Sequence, residues 1–155
     1  MSAPPASGLE ELLIERACER LLVEYARRVD FGEAAAIADL FTEDGRWEGT
    51  DLVLDGREEI RAWFSERGRL ERRVARHVCT NIAVTVESPT EAASLCYMLD
   101  YRHDRRDGDL TLPVPADPPK YIGELQDHFR LTDEGWRFAS RRVTVAFQRR
   151  RSPAS

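Results

Sequence analysis

Apolar residues at Leu9, Leu12, Leu13, Ala17, Leu21, Leu22 and Tyr25 recur at steps of three and four, which predicts an amphipathic helix ending near Val29. Glu10, Glu11, Glu15, Arg16, Glu19, Arg20 and Arg27 form its polar face. Asp30, Phe31 and Gly32 interrupt the pattern, and a shorter stripe through Ala34, Ile37, Ala38, Leu40 and Phe41 predicts a second helix after a tight corner. Asp44-Gly45 is a turn signal. Short strands are expected from Arg46 to Gly49, centred on Trp47, and at Leu52 to Leu54. A third helix follows from Glu58 to Arg67, with Ile60, Trp63 and Phe64 on one side.

From Arg76 onward the period changes to two, and a strand through Val86 is followed by another from Glu91 to about His103. Glu87 to Thr90 is the expected turn. The stretch from Gly108 to Pro119 holds four of the eight prolines and reads as a loop. Tyr121 to Leu131 and Trp136 to Phe147 then form a second hairpin around Thr132-Asp133-Glu134-Gly135. Three helices segregated from a set of antiparallel strands predict an α+β domain with the helices on one face of the sheet.

A length of 155 residues with 42% apolar content fits one domain, over 9–147, flanked by flexible termini at 1–8 and 148–155. The net charge of −5, with acids and bases interspersed, excludes a basic surface dense enough to track a phosphate backbone, so nucleic acid is not an expected partner. The Arg-rich tail at Gln148 to Arg151 reads as a solvated, frayed terminus. Cys18, Cys79 and Cys96 are spaced for neither zinc nor a secreted disulfide framework, which suits reduced thiols in a cytoplasm. Met1 to Gly8 lacks the pattern of a signal peptide, and no apolar run is long enough to span a membrane. Metal-ligand spacing, phosphate-binding loops and dinucleotide fingerprints are absent, so any chemistry is expected to need no cofactor and no metal.

Register supplies the first candidate chemistry. If Val86 pairs with Glu91 across the turn, stepping back along both strands sets His77 opposite Asp100 on one face, with Asn81 on the same side as His77. A carboxylate on one imidazole nitrogen fixes the tautomer and leaves the other nitrogen to act as base or acid. The bland alternative is a surface ion pair or a satisfied core histidine. In the last hairpin, pairing Leu131 with Trp136 puts Arg142 opposite Leu125 on the side of Phe129 and Phe138. Yet Val143, Val145 and Phe147 follow the parity of Arg141, so a bulge between Phe138 and Val143 would turn Arg141 inward instead. Phe41, Trp47, Trp63, Phe64, Met98 and Phe129 are the expected pocket walls, with Trp47 the strongest candidate among them. Tyr97, Tyr101, His103 and His128 are expected on the other face or at the rim.

The element order, together with Tyr25-Ala-Arg-Arg-Val-Asp30, Leu40-Phe-Thr-Glu-Asp-Gly-Arg-Trp47, Arg76-His-Val-Cys-Thr-Asn81 and Gly135-Trp-Arg-Phe-Ala-Ser-Arg141, resembles the SnoaL-like branch of the nuclear transport factor 2-like superfamily. The resemblance spans about Leu9 to Phe147. It implies a cone-shaped fold, three N-terminal helices on a strongly curved, mainly antiparallel sheet, with Tyr25 and Asp30 pointing into the cone. For Asp30, capping of the second helix is an equal alternative. Tyr25, Asp30, His77, Asp100 and Arg141 are similar in order and spacing to the site of the bile-acid 7α-dehydratases of this superfamily, and that pattern favours Arg141 over Arg142. Scytalone dehydratase is matched only in part, because Val29 rather than a tyrosine precedes Asp30 and only His103 could serve as a second histidine.

The resemblance implies a lyase or isomerase of the dehydratase kind acting on a small hydrophobic cyclic molecule such as a steroid or polyketide. In that reading His77, polarised by Asp100, removes a proton beside a carbonyl, while Tyr25 and Asp30 assist the departing hydroxyl or hold an enolate oxygen. Asn81, Met98, Trp47, Phe41, Phe129 and Arg142 are then substrate-binding candidates. The competing class is a non-catalytic ligand-binding domain or partner subunit, such as the small subunit of a ring-hydroxylating dioxygenase, for the fold serves both. A homo-oligomer, dimer or trimer, is also expected. Val78, Ile82 and Val84 are taken to face one side of the sheet and Cys79, Ala83, Cys96 and Met98 the other, which leaves an apolar face to cover.

Overall fold

The computed structural model describes residues 8–69, 73–105 and 110–150, so the expectations for the first seven residues and the last five lie outside the described residues. Helix α1 spans Gly8–Asp30, a short 3₁₀ helix spans Ala34–Leu40, and α2 spans Arg57–Gly68. The strands are β1 (Phe41–Glu48), β2 (Val53–Asp55), β3 (Arg73–Ser88), β4 (Glu91–Asp104), β5 (Tyr121–Thr132) and β6 (Gly135–Gln148). They form one curved sheet in the order β2-β1-β6-β5-β4-β3, antiparallel throughout except that β1 and β6 run parallel. The α+β class is as expected, with three helices on one face of a mixed sheet. Among the described residues no helix is long and apolar enough to cross a membrane.

Helical spacing in α1 is present, but its buried stripe is Ile14, Cys18, Leu21, Leu22 and Tyr25. Leu9, Leu12 and Leu13 fall on the opposite side and are exposed. The core gathers where α1 and the 3₁₀ helix meet the sheet. Phe41, Phe129 and Phe138 stack there with ring centroids 5.2 and 5.1 Å apart, all three buried. Each such phenyl contributes roughly 1.5–3 kcal/mol by leaving water. Asp44-Gly45 lies inside β1, where the four residues between Phe41 and Arg46 stand against the single residue between Phe138 and Ser140 on β6. A side chain at Gly45 would press within 2.9 Å of Phe41 Cβ and the Thr42 carbonyl oxygen, so glycine is required at this kink.

Bulges decide which side chains reach the inner face. Strand β3 carries one extra residue between the pairs Thr80–Tyr97 and Ala83–Leu95, and another between Val86–Ala92 and Ser88–Glu91. Asn81 sits at the first of these with φ of 52°, a left-handed conformation that asparagine tolerates. The shift moves Ile82, Val84 and Val86 onto the core side with Cys79, while Val78 stays exposed on the outer face. Ile82 and Val84 therefore do not share a face with Val78, in contrast to simple alternation. A third bulge in β6, between Phe138 and Ser140, turns Arg141 inward and Arg142 outward. At the carboxyl end of the described chain Gln148 pairs with Tyr121, and the Arg149 N–H donates to the Lys120 carbonyl.

Candidate active site

The last turn of α1, α2 and the middle of the sheet line a cleft of about 600 Å³. Tyr25 enters from α1, Trp47 from β1, Trp63 and Arg67 from α2, His77 and Cys79 from β3, Met98 and Asp100 from β4. Val143 and Val145 of β6 add apolar wall. The volume and the mixture of apolar wall with a few polar groups suit one small molecule.

His77 is held from beneath by Asp30, the final residue of α1. Asp30 Oδ1 lies 2.6 Å from His77 Nδ1, and Oδ2 accepts the His77 backbone N–H at 2.8 Å. A carboxylate on Nδ1 requires the hydrogen to sit there, so Nε2 carries the free lone pair and faces the cavity. Asp100 is paired with His77 in register, as the hairpin count anticipates. Its Oδ1 stands 3.8 Å from Nε2, which is beyond hydrogen-bond length. The polarising partner of His77 is thus Asp30 and not Asp100, and Asp30 makes no cap on the 3₁₀ helix, whose N-terminus has no side-chain cap. Asp100 Oδ1 is buried with no hydrogen-bond partner, an acceptor open to a donor from a bound molecule.

Tyr25 is buried, and its hydroxyl accepts a hydrogen bond from Trp47 Nε1 at 3.0 Å. Burial raises the phenol above its ordinary range, an effect only partly offset by the nearby Arg141 charge and the Trp47 bond. Tyr25 therefore stays protonated at neutral pH and serves as a donor. Beneath it, Arg141 lays its guanidinium 4.1 Å from the Tyr25 ring and 4.3 Å from the Phe138 ring. Arg141 Nε and Nη2 donate to the two oxygens of Asp127 at 2.7 and 2.8 Å, and both side chains are 0% exposed. Burial works against the charged guanidinium, yet Asp127 prevails and the group stays protonated. No sequence motif marks Asp127. Its phase, alternating with Leu125 and Phe129, was the available signal.

Other candidates separate. Met98 and Trp47 line the cavity. Phe41 and Phe129 are buried in the aromatic core and do not border it. Asn81 is exposed, because the bulge turns it away from His77. Arg142 points outward to Glu48 at 3.5 Å. Tyr97 and Tyr101 are exposed on the outer face. Arg67 was not singled out from the sequence, since one arginine at the end of a charged helix carries no visible signal. Cys79 borders the cavity beside buried Cys96, and the interaction with Cys96 holds the Cys79 thiol below its ordinary range while Cys96 is raised. Among the described residues no three His, Cys, Asp or Glu side chains are grouped to hold a metal ion.

This arrangement, a curved sheet closed by helices over a His-Asp pair, defines the class of protein. The SnoaL-like domain family matches residues 10–142, and the chain belongs to that family. Similar solved structures include a candidate scytalone dehydratase from Novosphingobium aromaticivorans, 21% identical, covering 96% of this chain and 95% of that one with a TM-score of 0.79. LinA is 17% identical over 92% of each chain, with a TM-score of 0.73. A candidate aromatic ring hydroxylase from Novosphingobium aromaticivorans is 23% identical, covering 86% of this chain and 89% of that one, with a TM-score of 0.70. At these identities the likeness is one of fold. No curated protein matches the sequence significantly.

Proposed function

We propose that the protein is a lyase of the dehydratase kind that eliminates water from a small hydrophobic cyclic substrate by acid-base chemistry at His77. The observation that carries this reading is the orientation of His77. Asp30 clamps Nδ1 at 2.6 Å, and Nε2 is left on the cavity side beside the unpartnered Asp100 Oδ1. Nε2 takes the proton from a carbon next to a carbonyl, and Asp30 stabilises the imidazolium that forms. Tyr25 donates its hydrogen bond to the carbonyl oxygen as enolate charge develops. Asp100 accepts a hydrogen bond from the leaving hydroxyl and holds it near Nε2. The imidazolium returns its proton to that oxygen, water departs, and a C=C bond remains. Each positioned acid or base contributes roughly 10²–10⁴-fold.

Without a hydroxyl in the β position, the same groups carry out isomerisation, with the proton returned to another carbon. The direct test is to incubate the protein with hydroxylated cyclic ketones and 3-keto steroids and to follow new conjugated-enone absorbance. Loss of water, or shift of a double bond, supports the reading. No turnover across the panel, with ligands still binding, instead favours a non-catalytic ligand-binding or partner-subunit domain. We also assign a second copy of the chain to the outer sheet face, where Val78, Leu95, Tyr97, Tyr101 and Phe147 are exposed together.

A further inference from the structure

The largest unanswered charge at the cavity is Arg67, in the last turn of α2. Its guanidinium stacks over Trp63 at 5.3 Å from the ring centroid and borders both the main cavity and a smaller hollow of about 70 Å³ next to it. That hollow is also lined by Arg73 and Arg102, which share the single carboxylate of Asp104 at 2.6 and 2.7 Å. Arg73 and Arg102 thus share one carboxylate, with which Arg67 makes no ion pair. Among the described residues the Arg67 side chain has neither an ion pair nor a hydrogen bond. Burial, and then the charges of Arg73 and Arg102, push its guanidinium down from its ordinary range. Asp100 attracts it only weakly and makes no ion pair with it.

A half-buried guanidinium is stabilised best by a carboxylate, whose two oxygens match its fork of donors. Asp100 Oδ1, by contrast, is a buried acceptor that needs a donor. The cavity wall therefore carries two kinds of polar site, an anion site at Arg67 and a hydroxyl site at Asp100 and His77. We propose that Arg67 is a specificity-determining residue that binds a carboxylate, so that the substrate is a hydroxylated cyclic carboxylic acid held by its acid group at Arg67 with its hydroxyl at Asp100. The reacting orientation rests on the elimination reading above. Binding of the acid group does not.

Isothermal titration with 2-naphthoate and its neutral counterpart 2-acetylnaphthalene tests the proposal without any turnover. Parent protein should bind the carboxylate about tenfold or more tightly, the fold-change of a charge-assisted hydrogen bond. Arg67→Gln should erase that preference and leave the neutral ketone within about twofold of its parent affinity. Arg67→Lys should retain part of it, because charge survives while the fork is lost. His77→Ala should bind naphthoate as the parent does, so a failed elimination reading with this preference intact would leave the acid site standing. Equal binding of both probes by the parent, undetectable naphthoate binding, or a preference that survives Arg67→Gln would each overturn the proposal.

Discussion

Replacing Asp127 by Asn tests the buried floor on which Tyr25 rests. The substitution keeps shape and removes one charge, leaving the Arg141 guanidinium wholly buried, with two bonds of 2.7 and 2.8 Å weakened. Arg141 Nη1 already has no partner, and the remaining environment is the rings of Tyr25 and Phe138. Breaking one side of a buried pair costs about 3–5 kcal/mol, since the stranded charge loses its compensation. For a domain of this size that is a fall in Tm of about 6–20 °C. Urea unfolding followed by tryptophan fluorescence reads it directly. The double variant Asp127→Leu with Arg141→Met removes both charges and should recover most of the loss, because apolar packing replaces the pair. An Asp127→Asn protein within about 1 kcal/mol of the parent, or a double variant no more stable than either single, would refute the reasoning.

Three further outcomes follow from the site. Cys79 should reach its full rate of reaction with iodoacetamide at a lower pH than free cysteine does, because the thiolate is the nucleophile and the interaction with Cys96 holds the Cys79 thiol below its ordinary range; a rate profile at or above that of free cysteine contradicts this. Asp30→Asn should lower kcat about 10²–10⁴-fold, through loss of tautomer control and imidazolium stabilisation, and should do so more than Asp100→Asn; the reverse order restores Asp100 as the polarising residue. Light scattering should give a dimer that Tyr97→Glu converts to monomer, whereas a monomeric parent removes the partner from the outer face.

Element type was legible wherever period was strong, as in α1, β3 to β6 and the Thr132 to Gly135 turn. Phase was less so. Leu9, Leu12 and Leu13 mimic a core stripe, and only packing reveals that Ile14 and Cys18 carry it. The pairing of His77 with Asp100 is correct although Val86 does not face Glu91: the loop is two residues shorter than the count assumes, and two extra residues in β3 restore the register. The Phe138-to-Val143 change of parity did signal the bulge that buries Arg141. Asp30 as the partner of His77 was out of reach, because the contact joins residues 47 apart through the angle between α1 and β3, which no local pattern encodes. Arg67 gives no signal either, because it is one arginine among several charges on α2 and only the packing of that helix over the sheet brings it to the cavity.

The central claim is that His77 Nε2 moves the proton. Its most direct measurement is turnover by the parent and by His77→Ala on the same hydroxylated cyclic substrate, with ligand affinity measured in parallel. The account predicts a fall in kcat of at least about 10²-fold with affinity little changed, because the imidazole acts on the transition state. Equal turnover by the two proteins would contradict it and remove His77 from the chemistry.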